Sequence, residues 1–188
     1  GEEEIQQGGI DDLMALARDL DADYVQLIHP KPAGRWLEKT EGMQRQEPVI
    51  KMVRDAHDRY NSRTTRKFPA LAAQAAEEAP DKLGCTAGAV DRFYVNAAGE
   101  MQPCEFLNLS FGNLRNEPFE VVFNRMRSFF PSPCVDWLCC TQAASIAGLM
   151  KEHGLTQTPI PWEYARKLVE KWDRGQPTPF YKKLGIYR

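Results

Sequence analysis

All five cysteines of this 188-residue chain lie between Cys85 and Cys140. They fall into two groups, since Cys85 and Cys104 flank a strand–turn–strand pattern and Cys134, Cys139 and Cys140 follow a predicted helix. A chain that confines its thiols to one stretch is expected to use them together. This use constrains the fold, because the hairpin and the far end of the helix must then meet.

Disulfide bonds and thiol catalysis explain this cluster poorly. Disulfide frameworks suit small secreted domains, whereas this chain is longer, has an odd number of cysteines and shows no leader peptide. A catalytic thiolate needs a partner base, and the three histidines, His29, His57 and His153, lie outside the stretch. Buried, reduced cysteines that act as small apolar side chains remain an open alternative.

Metal binding is the interpretation that uses the thiols together. Thiolates are soft donors that suit zinc or iron–sulfur clusters, and four of the five would complete either kind of site. The stretch contains no C-x-x-C pair of the kind that zinc ribbons use. The long gaps between the cysteines therefore favour a cluster that is larger than one ion.

The spacing around the first two cysteines carries a family resemblance. Thirteen residues separate Cys85 from Gly99, and four separate Gly99 from Cys104. The sequence FYVN at 93–96 precedes this glycine, and FGNL at 111–114 follows Cys104 before a predicted helix. This stretch resembles the SPASM and twitch domains, which form the C-terminal extension of many radical S-adenosylmethionine (radical SAM) enzymes.

The resemblance implies an auxiliary 4Fe–4S cluster. In that family the hairpin supplies two thiolates, and cysteines beyond the next helix complete the set. A full SPASM domain has more cysteines and holds two clusters, so this chain looks like the shorter twitch form with one. The implied ligands are Cys85, Cys104, Cys134 and either Cys139 or Cys140. Side chains of adjacent residues diverge, and the sequence leaves open which of the last two binds.

The first part of the chain predicts elements of an α/β fold. Apolar spacing predicts a helix over 10–20, a strand over 24–29 that is covered on both faces, and a second helix over 48–61. The loop 30–35 follows the strand, at the end where α/β folds place ligands. Its Gly34 and Arg35 resemble a proline-rich loop of the radical SAM barrel near the cofactor, and they are the candidate cofactor-binding residues. A plain turn with a surface arginine is the alternative.

The remaining elements follow from simpler patterns. Arg63, Arg66 and Lys67 form a basic loop that is interpreted as solvated. The alanine-rich stretch 69–79 predicts a helix, and Pro80 marks a domain boundary. The later predictions are strands over 92–96 and 100–103 joined at Gly99, and helices over 118–130, 141–153 with Thr141 as its cap, and 162–173.

The predicted fold class is α/β, α+β overall, in three parts. Residues 1–80 are the expected C-terminal remnant of a TIM-like radical SAM barrel, 84–145 a twitch/SPASM-like auxiliary cluster domain, and 146–188 a helical tail. The catalytic cluster of the family needs a C-x-x-x-C-x-x-C motif, and no cysteine precedes Cys85. We therefore expect a C-terminal portion that is inactive alone and whose partner is the missing N-terminal part of the barrel. S-adenosylmethionine would bind only in the complete parent.

Composition narrows the environment and the partners. The chain is 43% hydrophobic and 27% charged with a net charge of −2, which gives no general attraction to nucleic acid. No apolar run reaches the length of a membrane span, and reduced cysteines favour the cytoplasm. The expected parent is an oxidoreductase or maturase that acts on a peptide or a small molecule. The alternative function is a zinc-stabilised or metal-free docking module, which the aromatic and basic tail over 177–188 suggests.

Overall fold

The computed structural model describes residues 1–37, 47–62 and 67–187. These residues divide into two compact units, which are a first unit of residues 1–30, 47–62 and 67–79 and a second unit of residues 31–37 and 80–187. The fold is mixed α/β with short strands, and no closed barrel forms among the described residues. None of the helices in these ranges is long and apolar enough to cross a bilayer.

The first unit is built from helices around one pair of strands. Helix α2 buries Ile10, Met14 and Ala17, and α3 buries Val49, Ile50, Val53 and Ala56, which confirms the two helices that apolar spacing predicts. Its elements are α1 (Glu2–Gln6), α2 (Gly9–Asp19), β1 (Tyr24–Leu27), α3 (Glu47–Tyr60), β2 (Ala70–Ala73) and α4 (Gln74–Glu77).

Strand β2 replaces the first half of the helix that was predicted over 69–79, so that prediction was wrong there. β2 runs parallel to β1, with Tyr24 opposite Ala70. The Asn61 amide fixes this strand from the end of α3, because it accepts a hydrogen bond from the Leu71 N–H at 3.0 Å and donates one to the Leu71 carbonyl at 2.8 Å. The strand pairing outweighs the helix propensity of alanine, which is a weak preference.

The faces of β1 are more open than the sequence predicts. Its residues alternate between exposed and half-buried, and Tyr24 is 63% exposed. The expectation of a strand covered on both faces is therefore wrong among the described residues. Parallel sheets are normally covered on both sides.

The second unit begins with the predicted β-hairpin. Strands β3 (Tyr94–Val95) and β4 (Met101–Gln102) pair in antiparallel fashion. Gly99 has φ +90° at the turn, and the Asn96 side chain accepts hydrogen bonds from the N–H groups of Ala98 and Glu100. The hairpin and its glycine are therefore confirmed.

Helices follow the hairpin and enclose one core. The predicted helix over 118–130 is confirmed as α5 (Phe119–Phe129), which buries Val122 and Met126, and Phe130 follows it in the core. Phe111 belongs to this core, and the centroid of its ring lies 5.6 Å from that of Phe130 and 4.9 Å from that of Trp162. The later helices are α6 (Leu138–Thr141), α7 (Ala143–Glu152), α8 (Trp162–Val169) and α9 (Pro179–Leu184).

Two helix boundaries differ from the prediction, and one loop cannot be compared. Thr141 ends α6, with its hydroxyl 3.5 Å from the Trp137 carbonyl, instead of capping α7. Helix α8 ends at Val169, short of the predicted residue 173. Arg63 and Arg66 of the basic loop lie outside the described residues.

Candidate metal centre

The two groups of cysteines meet at Cys85 and Cys134. The N–H of Cys85 donates to the carbonyl of Cys134 at 2.7 Å, and the N–H of Cys134 donates back to Cys85 at 3.0 Å. This pair forms an antiparallel bridge between the segment before the hairpin and the segment after α5. The backbone therefore joins two positions that are far apart in sequence.

Two glycines make this close approach possible. Gly84 and Gly88 flank Cys85 and have φ values of +61° and +78°, a region that side chains disfavour. A Cβ at Gly84 would collide with the Cys134 carbonyl and lie 2.7 Å from a methyl group of Thr178. A Cβ at Gly88 would collide with the Phe130 ring. Only glycine fits at both positions without movement of the surrounding chain.

All five cysteines belong to one core, and no disulfide bond joins any of them. Cys85, Cys104, Cys134 and Cys139 are buried, with 7% of the surface or less exposed, and Cys140 is half-buried against the same core. Free cysteines pack well as small apolar groups, and so burial alone does not distinguish a ligand from a core residue. The electrostatics of the thiols is more informative.

Cys85 is the thiol that ionises most easily among those with a resolved shift. Its pKa is lowered to about 6, chiefly because the Cys134 thiol donates a hydrogen bond to its sulfur. The N–H groups of Leu138 and Ala87 also donate to it, and the charge of Arg174 acts in the same direction. These contributions outweigh the burial. The pKa of Cys134 is raised, because its thiol is the donor to Cys85 and is itself buried.

The remaining thiols extend this interaction. Burial raises the pKa of Cys104 to about 12, and the negative charge of Cys85 adds to the effect. The pKa of Cys139 is raised because its thiol donates to Cys140 and is buried, with a further contribution from the charge of Cys104. Pairwise electrostatic interactions therefore link the five thiols, in the order Cys134, Cys85, Cys104, Cys139, Cys140, and we call this linked set the thiol row.

Basic side chains act on both ends of this row. Arg174 lies beside Cys134 and Cys85, and its charge lowers the pKa of both thiols. Lys31 is 5% exposed, and its charge lowers the pKa of Cys139. Cations near thiols favour the thiolate, the form that binds metals.

The row supplies the donor chemistry of a metal–thiolate site, but the site is not closed. No set of three or more His, Cys, Asp or Glu side chains is arranged to hold a metal ion in the described ranges. The hydroxyl of Thr86, next to Cys85, is buried and has no hydrogen-bond partner within these ranges. The residues fit a soft metal group in type and burial, and binding would require the thiols to turn toward one centre.

The predicted cofactor-binding residues lie in the second unit. Gly34 has φ +56°, and its N–H donates to the Asn108 side chain at 2.8 Å. Arg35 is exposed in the short 3₁₀ turn Gly34–Trp36. Their role in binding a cofactor stays a prediction.

The sequence analysis missed four residues that shape this site. Gly84 and Gly88 bracket Cys85, and the spacing Gly-Cys-x-x-Gly was the available signal for them. Lys31 and Arg174 carried no signal, because their proximity to the cysteines arises only on folding.

Comparison of the chain with models of known families, with curated proteins and with solved structures finds no match in any of the three.

Proposed function

We propose that this chain is the C-terminal part of a radical SAM oxidoreductase or maturase and that its thiols bind an auxiliary 4Fe–4S cluster. The supporting observation is that five cysteines outside any disulfide lie in one core, where the bridge between Cys85 and Cys134 joins two distant segments. The spacing from Cys85 to Cys104 resembles that of SPASM and twitch domains, and this resemblance supports the assignment to the radical SAM family. Iron–sulfur clusters are held by thiolates, commonly four of them.

We assign the ligands to Cys85, Cys104, Cys134 and Cys139. Cys139 is preferred to Cys140 because it is 5% exposed and interacts electrostatically with Cys104, whereas Cys140 is half-buried. Both are on the short helix α6, where consecutive side chains point about 100° apart. Cys140 then remains a neighbouring thiol that does not bind the cluster.

A bound 4Fe–4S centre supplies a one-electron donor and acceptor, or an open iron to which a substrate binds. The residues of this chain contribute a dry environment. Phe111, Phe130 and Met126 are fully buried in the core that contains the thiols, and Trp137 is 3% exposed. Exclusion of water and the polarity of such surroundings set the reduction potential of a cluster.

The first unit fits the proposed remnant of a barrel. Parallel strand β1, helix α3 and parallel strand β2 form one β–α–β unit, the repeating element of such folds. Two parallel strands do not form a stable sheet by themselves, and we propose that further strands of the parent extend this pair. The C-x-x-x-C-x-x-C motif is absent from these 188 residues, and so the chain alone should not cleave S-adenosylmethionine.

The ligand assignment is tested with variants in which one cysteine at a time is replaced by serine. Each variant is reconstituted anaerobically with iron and sulfide. Cys140→Ser should bind as much iron and as much sulfide as the wild type, whereas Cys104→Ser and Cys139→Ser should lose most of both. Iron, sulfide and zinc are measured together with the visible absorption spectrum. Zinc without sulfide would contradict the proposal and favour the docking module. Equal losses in Cys139→Ser and Cys140→Ser would contradict the choice between those two residues.

A further inference from the structure

The outer edge of strand β3 is open in the part of the chain that the structure describes. The Met101 N–H donates to the Gly112 carbonyl at 2.9 Å, and the Met101 carbonyl accepts from the Phe111 N–H at 2.8 Å. Met101 therefore turns its backbone groups away from Val95, its partner across the hairpin. In an antiparallel ladder, both members of such a pair point their N–H and carbonyl groups away from each other. The backbone groups of Val95 consequently face outward, where no other described strand pairs with β3.

The side chains along this edge are apolar and exposed. Phe93, Tyr94 and Val95 are each more than a third exposed. Sheet edges that stay in water are usually protected by lysine, by proline or by a bulge, each of which discourages pairing with another chain. None of these three residues is charged or a proline. The short length of β3 is therefore its main protection, and a partner strand needs a further anchor.

Three phenylalanine rings beside the edge supply such an anchor. The centroid of the Phe93 ring lies 5.8 Å from that of Phe119 and 5.9 Å from that of Phe123, both on α5. The rings of Phe119 and Phe123 stack, with centroids 5.4 Å apart. Phe93 and Phe119 are 40% and 43% exposed. A residue that paired opposite Phe93 would place its side chain on the same face of the sheet as these rings, which we call the phenylalanine patch.

We propose that the outer edge of β3 binds an extended peptide segment as an added strand and that the segment places a large apolar side chain against the phenylalanine patch. The N–H and carbonyl of Val95 supply one donor and one acceptor to the peptide backbone, which fixes its extended conformation. The exposed ring faces select an apolar or aromatic side chain. This inference goes beyond the auxiliary 4Fe–4S role and does not depend on it.

The size of the surface favours a peptide over a second copy of this chain. β3 comprises two residues and is therefore about 7 Å long. A stable dimer buries about 800 Å² on each partner, which a strand of this length and three partly buried rings do not supply. A peptide needs only a few backbone hydrogen bonds and one anchoring side chain on such a surface.

Peptide binding is measured on the full chain by fluorescence anisotropy. The probes are short, blocked, dye-labelled peptides in which threonine alternates with leucine, phenylalanine, lysine or glutamate. We expect saturable binding of the leucine and phenylalanine peptides, because their side chains match the phenylalanine patch. The lysine and glutamate peptides should bind more weakly, since they place charges there.

Two variants test the edge and the patch separately. Val95→Pro removes the outward N–H but keeps the pairing of β3 with β4, because proline is tolerated where the N–H of an edge strand faces solvent. Phe119→Ser removes part of the patch. Its control is Val121→Ser, because Val121 is 48% exposed on the same helix but about 200° around it from Phe119. Val95→Pro and Phe119→Ser should each weaken binding on the order of tenfold, and the control should leave it unchanged.

Hydrogen exchange of single amides provides a test that needs only the wild type. The Val95 N–H should exchange rapidly in the free chain and become protected when the leucine peptide is bound. The Tyr94 N–H is the internal control, because it belongs to the neighbouring pair with Gln102, where the ladder exchanges its hydrogen bonds. Its exchange should be the same with and without the peptide.

Three results would overturn the inference. They are no saturable binding of the leucine and phenylalanine peptides, binding that both test variants leave unchanged, and a Val95 N–H that gains no protection. A wild type that dimerises in sedimentation experiments, with Val95→Pro monomeric, would also overturn it and assign the edge to a second copy of the chain. Iron and sulfide loading is measured separately, so its failure would bear on the proposed function alone.

Discussion

Strand β4 of the second unit and strand β1 of the first unit differ in how completely they are buried. Both residues of β4 in the second unit are buried, whereas every residue of β1 in the first unit is exposed or half-buried. The second unit surrounds β4 with large, fully buried side chains such as Phe111 and Leu109. In the first unit, Leu16 on helix α2 and Leu20, which directly follows that helix, are more than half exposed.

This difference indicates that the units depend on their surroundings to different degrees. An antiparallel sheet can leave one side in water, and in the second unit the core encloses β4 while both residues of β3 are exposed. A pair of parallel strands needs neighbours on its edges and faces, and the described part of the first unit does not supply them. The contrast agrees with our proposal that the first unit completes a larger sheet and that the second unit holds the centre.

The largest effect is expected from Gly88→Ala in the second unit. The new methyl group would collide with the Phe130 ring, and the positive φ adds backbone strain, so we expect a loss of about 4 kcal/mol in the free energy of unfolding. Gly154→Ala is the matched control, because Gly154 has φ +63° but open space around it, and it should cost about 1 kcal/mol. Denaturant unfolding measures both. Equal costs would show that the packing against Phe130 is loose.

A pair of substitutions on α2 sharpens the comparison in the first unit. Met14→Ala empties a fully buried position and should cost about 3 kcal/mol. Leu16→Ala removes a side chain that is 56% exposed and should change stability by about 0.5 kcal/mol or less. Urea denaturation followed by circular dichroism compares them. A cost for Leu16→Ala close to that of Met14→Ala would contradict an open outer face on α2.

A smaller effect than those of Gly88→Ala and Met14→Ala is expected at an ion pair of the second unit. Arg125 lowers the pKa of the Glu117 carboxyl, chiefly by donating hydrogen bonds to it. A carboxyl with a lowered folded pKa stabilises the fold above its ordinary pKa near 4.5 and loses that effect as the pH falls through the lowered value. Both side chains are partly solvated, so Glu117→Gln should cost about 1 kcal/mol at pH 7.

Denaturant titrations of this variant and the wild type at a series of pH values test the sign. The difference in stability should shrink as the pH falls below 4.5 and vanish once the carboxyl of the wild type is protonated. A difference that is constant over this range would assign the effect to packing and not to charge.

Local patterns predicted much of the fold, and long-range contacts account for the rest. The hairpin at Gly99 and helix α5 follow from turn chemistry and apolar spacing, which act within a few residues. Strand β2 was missed, because alanine favours a helix and the pairing with β1 joins residues that are far apart in sequence. The placement of segment 31–37 in the second unit has no local signal either.

Parts of the candidate site can likewise be predicted from local patterns, whereas other parts depend on long-range contacts. The clustering of the cysteines predicted that the hairpin and the far end of the following helix would meet, and the bridge between Cys85 and Cys134 agrees with that. The positions of Lys31 and Arg174 could not be predicted, since each reaches the thiols from a segment outside the cysteine-bearing stretch. Whether the row of thiols closes around a metal is a property of side-chain rotation, which sequence patterns do not encode.

The central claim is tested most directly by the Mössbauer spectrum of the wild-type chain after anaerobic reconstitution with ⁵⁷Fe and sulfide. Our account predicts one quadrupole doublet typical of an oxidised 4Fe–4S cluster, with about four irons and four sulfides bound per chain. A chain that emerges folded with all five thiols free and no more than traces of iron would contradict it.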